Sequence, residues 1–192
     1  MPYRFRSRIV TLFCLAAALA SLPVLAVRAQ DVMDAKSAAF LRDRYLADLD
    51  SVHVKVMALA AAIPEDAYGW RPAPGVRSIS EVLMHFAAEW MYYAPMSVGG
   101  KPPADFGPLT ETMPRLARIT AKRAVIAELE KRWSHAKGQV ADVDAATLTG
   151  RYAPWKVTLV DAAFAMSGDM HEHLGQLIAY ARSNGVKPLW SK

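Results

Sequence analysis

The sequence predicts an all-α protein, a four-helix bundle, and three observations carry that expectation. Apolar residues recur at helical spacing in four separate stretches between residues 38 and 182. Segments rich in proline and glycine separate the stretches, and none of them alternates apolar and polar residues as a half-buried strand would. At 192 residues and 53% hydrophobic, the chain is also long enough to bury the single core such a bundle needs.

Residues 1–29 are expected to lie outside that bundle. Arg4, Arg6 and Arg8 precede the apolar run Ile9 to Leu22, and Val27 and Ala29 form the small pair before a cut. Those are the three parts of a secretory signal peptide. Cleavage after Ala29 would leave Gln30 as the new N-terminus and residues 30–192 as one domain, periplasmic or secreted. The apolar run falls short of the roughly 20 residues of a spanning helix, so no stable membrane anchor is expected after cleavage. Four of the 23 Lys and Arg residues lie in this leader and none of the 18 Asp and Glu, so the formal +5 of the whole chain falls to near neutrality beyond it. The basic excess is thus a targeting feature, and no clustered basic face suggests nucleic-acid binding. Cys14, the sole cysteine, leaves with the leader, so any nucleophile or metal ligand of the mature protein must be oxygen or nitrogen.

The first helix is expected over Ala38 to Ala62, with its apolar face at positions 41, 45, 49, 52, 56 and 60, and it stops before Pro64. "YGWRPAPGVRSIS", residues 68–80, reads as a loop. Ser78 with Glu81 makes a capping box that opens a second helix running to about Tyr93. "PMSVGGKPPADFGP", residues 95–108, is the longest breaker-rich segment and reads as a connecting loop rather than a lid. A third helix is expected from about Thr112, with Pro114 in its first turn, to about Ala136, with a stripe of Leu116, Ile119, Ile126, Leu129 and Trp133. The fourth runs from about Val157 to Arg182 and stops at Asn184-Gly185.

The chemistry is concentrated in "GDMHEHLGQLIAYAR", residues 168–182. Asp169 and His173 are four apart and share a face, whereas His171 points away from both. That face continues through Ala162, Ala165, Met166, Gln176, Leu177 and Tyr180 and is interior in character. A carboxylate buried there needs a partner, and a divalent ion held by two imidazoles and a carboxylate is a known catalytic arrangement. His85, in "EVLMHFAAEW" on the second helix, is the candidate third ligand, with Glu89 as an outer acceptor or base and Trp90 as a pocket wall. His53 flanks the first stripe as a core residue or a substrate contact, and His135 reads as a surface residue near a helix end. Tyr92 and Tyr180 each lie seven past a candidate ligand, placed either at a cavity mouth or in the core. The residues alone also allow a metal-free polar core in which Asp169 pairs with His85 or His173 while Glu89 faces solvent.

"RPAPGVRSISEVLMHFA", residues 71–87, followed by "GDMHEHLGQLIAYARSNGVKPLW", residues 168–190, resembles the DinB-like (DinB/YfiT) superfamily of metal-binding four-helix bundles. The resemblance spans roughly 38–190 and implies His85 as the first metal ligand, His173 as the last, and Asp169 at a position where most members have histidine. It implies zinc or nickel as the ion, with water in the open positions, and its closing motif ends at Gln176, three past His173. Its best-defined activities are thiol-dependent transfers and isomerisations that use bacillithiol or mycothiol in the cytosol, a setting at odds with an exported chain. The expectation is a metal-dependent hydrolase or transferase acting on an unidentified small molecule, the alternative being a non-catalytic metal- or ligand-binding stress-response bundle, either one as a monomer or a homodimer.

Overall fold

The computed structural model describes residues 33–191 except 153 and 155, so the expected leader and its cleavage point lie outside the described residues. Helix α1 spans Ala35–Ala62. The Asp34 carboxylate caps it by accepting from the backbone N–H groups of Lys36 and Ser37, both at 3.0 Å, which satisfies two donors that the first turn cannot pair internally. Tyr45, Leu49, Val52, Val56 and Ala60 are buried, as the apolar spacing requires, and Leu41 is half-buried against the core. A short 3₁₀ turn, Glu65–Gly69, follows Pro64, and the Tyr68 hydroxyl ties it back by donating to the Ala60 carbonyl at 2.7 Å.

Helix α2, Ile79–Ala88, begins at the expected capping box. The Glu81 N–H donates to Ser78 Oγ at 3.3 Å, and the Ser78 N–H donates to the Glu81 carboxylate at 2.6 Å. The helix does not end near Tyr93. It widens into one π-helical turn, Glu89–Tyr93, and continues as α3, Ala94–Ser97, with the Ala94 N–H reaching the Glu89 carbonyl. Pro95 explains the widening: it has no N–H to donate, and its ring would clash with the carbonyl four residues back in a regular α-turn.

The single third helix expected over Thr112 to Ala136 is two helices, α4 at Leu109–Ala117 and α5 at Lys122–Ala141. Pro108 precedes α4, and Pro114 lies inside it rather than in a first turn. The chain bends between them because the two segments serve different neighbours: α4 packs on α2, whereas α5 packs on both α1 and α2. A second 3₁₀ turn, Ala145–Thr149, leads into a two-residue hairpin of β1, Arg151–Tyr152, and β2, Val157–Thr158, antiparallel with Arg151 opposite Thr158. Strands this short carry no period that a sequence reading detects. Helix α6, Leu159–Ser183, starts at a second capping box, Thr158 with Asp161, and stops at Asn184 before Gly185, whose φ of 75° suits a residue without Cβ.

Helices α1, α2, α5 and α6 pack as an all-α bundle with one continuous core. Among the described residues, no helix is long and apolar enough to cross a membrane. An aromatic cluster fills one side of the core: His53 stacks on Trp133 at 4.6 Å, and Trp90 meets both rings edge-on at 5.5 and 5.7 Å.

The segment between α3 and α4 is pinned as a connecting loop. Asp105 accepts from the Arg132 guanidinium through two bonds of 2.8 and 3.0 Å and from Lys131 at 2.8 Å, while Phe106 stacks on Tyr92 at 4.6 Å. His135, expected at the surface, is half-buried and lies 2.8 Å from the Lys101 carbonyl. Arg132 is 1% exposed and shares its charge between Asp105 and Glu128. Replacing Asp105 by Ala leaves that buried cation half-satisfied. A loss of about 1–3 kcal/mol in urea denaturation is expected, with no change in metal binding.

Candidate metal centre

Helices α2 and α6 bring four side chains to one point. His85 on α2 and Glu89, the first residue of the π-turn that extends it, are one turn apart, Asp169 and His173 are one turn apart on α6, and each offers one ligand atom within 4.8 Å of all the others. Glu89 Oε1 is the hub, 3.3 Å from His85 Nε2 and 3.6 Å from His173 Nε2. His173 Nε2 lies 3.8 Å from Asp169 Oδ1. The two imidazoles meet edge to face with centroids 4.5 Å apart.

The burial differs from the expectation in an instructive way. Asp169 was expected to be the buried carboxylate, and Glu89 to be an outer group or solvated. Glu89 is instead 1% exposed, whereas the Asp169 side chain is 47% exposed. Of the expected interior face, Ala162, Met166, Leu177 and Tyr180 are buried, whereas Ala165 is exposed. Neither Glu89 oxygen meets a donor unless a proton is shared with Asp169. Burial first, and the neighbouring Asp169 carboxylate second, push the Glu89 carboxyl well above its ordinary range, with Arg77 opposing. Burial likewise pulls His85 down to about 4, helped by Arg77 and His173, so its imidazole is neutral at pH 7.

Behind the cluster a hydrogen-bonded chain orients His173. Its Nδ1 lies 3.2 Å from Gln176 Oε1, and the Gln176 amide donates to the Tyr180 hydroxyl at 3.0 Å. Because the Gln176 amide nitrogen is committed to Tyr180, its oxygen accepts from His173 Nδ1–H. That leaves the lone pair on Nε2, the nitrogen that faces Glu89. Tyr180 is braced in turn by Trp70, edge-on at 5.2 Å.

This donor set fits a divalent ion. In a tetrahedral site with bonds of about 2.0–2.1 Å, ligand atoms are about 3.3–3.4 Å apart; the 3.3 and 3.6 Å separations around Glu89 Oε1 need little closure. A buried carboxylate without donors, set between the imidazoles of His85 and His173, suits a positive charge.

The structure separates the remaining candidates. Gln176 and Tyr180 belong to the chain behind His173, as above. Trp90 and His53 lie in the aromatic cluster, with Phe86 between it and the site, its ring centroid 6.2 Å from that of His173. Tyr92 is stacked beneath Phe106 rather than beside Tyr180. His171 is exposed on the opposite face of α6, 2.9 Å from Asp48, which also accepts from Ser167. Arg77, which the sequence reading did not single out, borders the site electrostatically; it is visible in sequence only as the residue before the Ser78 cap.

The pH dependence of the metal-free protein follows from these shifts. Glu89 binds its proton more tightly folded than unfolded, so its contribution to stability declines as pH rises above 4.5. His85, and His53, which burial also pulls down, bind protons more tightly unfolded, so their contributions grow with pH up to about 6.5. The Glu89 contribution to the stability of chelator-treated protein, read in denaturant melts, should therefore fall as pH rises above 4.5. Glu89→Gln should remove that decline, and an unchanged slope in the variant would contradict the assignment.

Comparison with known families agrees with this geometry. The description of the DinB superfamily matches residues 48–177, more than half of the chain, and all four cluster residues lie within the matched region. No curated protein and no solved structure matches the chain. The chain belongs to the DinB superfamily.

Proposed function

We propose that this is an exported metal-dependent hydrolase or transferase, with zinc or nickel held by His85, Glu89 and His173 and with the half-exposed Asp169 carboxylate beside the open position. The observation that carries the reading is the Glu89 carboxylate, 1% exposed and without a donor, set between two imidazole nitrogens at 3.3 and 3.6 Å. A divalent ion bound there supplies Lewis acidity and makes a coordinated water more acidic.

The protein's own groups divide the remaining work. Glu89 and His85, both from α2, form the inner wall. His173 is held by Gln176 and Tyr180, so its orientation is set before anything binds. Asp169 is the outermost of the four and the only one with a half-exposed side chain. It is therefore the group that exchanges a proton with a bound substrate or solvent. Glu89, with both oxygens enclosed, is a ligand rather than the base. The non-catalytic alternative uses the same ligands but gives Asp169 no proton to move.

Metal content after purification without added metal tests the site. Glu89→Ala and His173→Ala should empty it, Gln176→Ala should weaken binding about 10–100-fold, and His171→Ala should leave it full. Equal metal in Glu89→Ala and the parent protein would remove the site. Catalysis is tested with ester, amide and thiol-transfer substrates: metal-dependent turnover should fall at least about tenfold in Asp169→Asn while metal is retained. Metal-loaded protein inert toward every class would favour the binding reading.

Export rests on the leader pattern of residues 1–29. N-terminal sequencing of the protein from its native host should begin at Gln30, and a retained Met1 would exclude cleavage.

A further inference from the structure

A cavity of about 380 Å³ lies against His85, between the loop from Arg71 to Arg77, helix α2 and helix α4. Its size is that of a small-molecule site. Met84, Met113, Pro114 and Leu116 give it an apolar wall, and its charged groups are Arg71, Arg77 and Glu81. Two of those charges neutralise each other: Arg71 is 3.2 Å from the Glu81 carboxylate and also donates to the Val76 carbonyl at 2.9 Å. Arg77 is exposed and has neither a carboxylate nor a hydrogen-bond partner among the described residues. Its charge is nevertheless felt at both His85 and Glu89.

Arg77 is also well placed to stay there. It immediately precedes Ser78, whose hydroxyl and N–H are fixed by the capping box with Glu81, so its backbone is anchored to the first turn of α2. The opposite wall is α4, the helix created by the break after Ala117, which packs on α2. The cavity therefore combines one uncompensated guanidinium with an apolar wall, beside the cluster. A guanidinium in such a place selects a planar anion, because its fork of donors matches a carboxylate.

We propose that this cavity binds a small carboxylate-bearing molecule, its acid group on Arg77 and its apolar body against Met84, Met113 and Leu116, making Arg77 the specificity-determining residue. As the substrate class of the centre, this rests on the metal-dependent reading; the contact with Arg77 itself does not need the ion.

The test is calorimetric titration with hexanoate, hexanol and hexylamine, using zinc-loaded and chelator-stripped protein, for the parent chain, Arg77→Met and Arg77→Lys. Hexanoate should bind the zinc-loaded parent at least about tenfold tighter than hexanol, and hexylamine more weakly than either. Arg77→Met should lose that preference while hexanol affinity and zinc content stay unchanged, and Arg77→Lys should keep part of it. Stripped protein should retain the preference, and there too it should depend on Arg77. Equal affinity for the three probes, or a hexanoate preference that survives in Arg77→Met, overturns the proposal; with normal zinc content either result leaves the metal reading standing. A chain that takes up no zinc, yet shows the Arg77-dependent preference, keeps the carboxylate pocket and loses the metal-dependent function.

Discussion

The constraint around which this bundle is arranged is one carboxylate that water cannot reach. Glu89 lies in the core side of α2 with no donor for either oxygen. A group in that state must hold a proton, share one, or meet a cation. The fold brings all three solutions within reach: a raised affinity for protons, Asp169 close enough to share one, and two imidazole nitrogens that complete a candidate cation site. The polarity in the middle of α6 thus answers a charge placed on α2. The hydrogen-bonded sequence from His173 through Gln176 to Tyr180 extends the same logic outward, fixing which nitrogen faces inward.

Much of the architecture was legible because helical spacing and caps are local signals. Ser78 with Glu81, the stop at Pro64, the buried positions of α1 and the Asn184-Gly185 ending all depend on residues a few places apart. The failures have tertiary causes. The third helix divides where α5 takes on α1 as a partner besides the α2 that both halves share, and nothing within residues 109–141 records who those partners are. Helix α2 passes through Pro95 because a π-turn absorbs the missing hydrogen bond, a solution that a simple breaker rule does not anticipate.

At the site, residue type was readable and depth was not. Asp169 and His173 form a pair at i and i+4 on α6, and His85 and Glu89 repeat that spacing in reverse on α2. The second pair was as visible as the first, yet its glutamate was assigned an outer role, because a polar residue in an amphipathic helix is usually at the surface. Which of the two carboxylates is enclosed depends on how far each helix is rotated about its axis, and only packing sets that angle. Arg77 was missed for a similar reason: it belongs to no periodic face, and its importance lies in what fails to stand opposite it.

The four groups of the candidate site come as two pairs from segments some eighty residues apart in the chain. An ion held between them would therefore act as a reversible cross-link, closing a long loop in a polypeptide whose only thiol lies at position 14. By mass action, an ion bound only to the folded chain stabilises it by about 4 kcal/mol when present at about a thousand times its Kd, a sizeable part of what a domain of this size has in hand. Ion supply in the surrounding medium would then set how long the chain survives unfolding and proteolysis, quite apart from any reaction it performs.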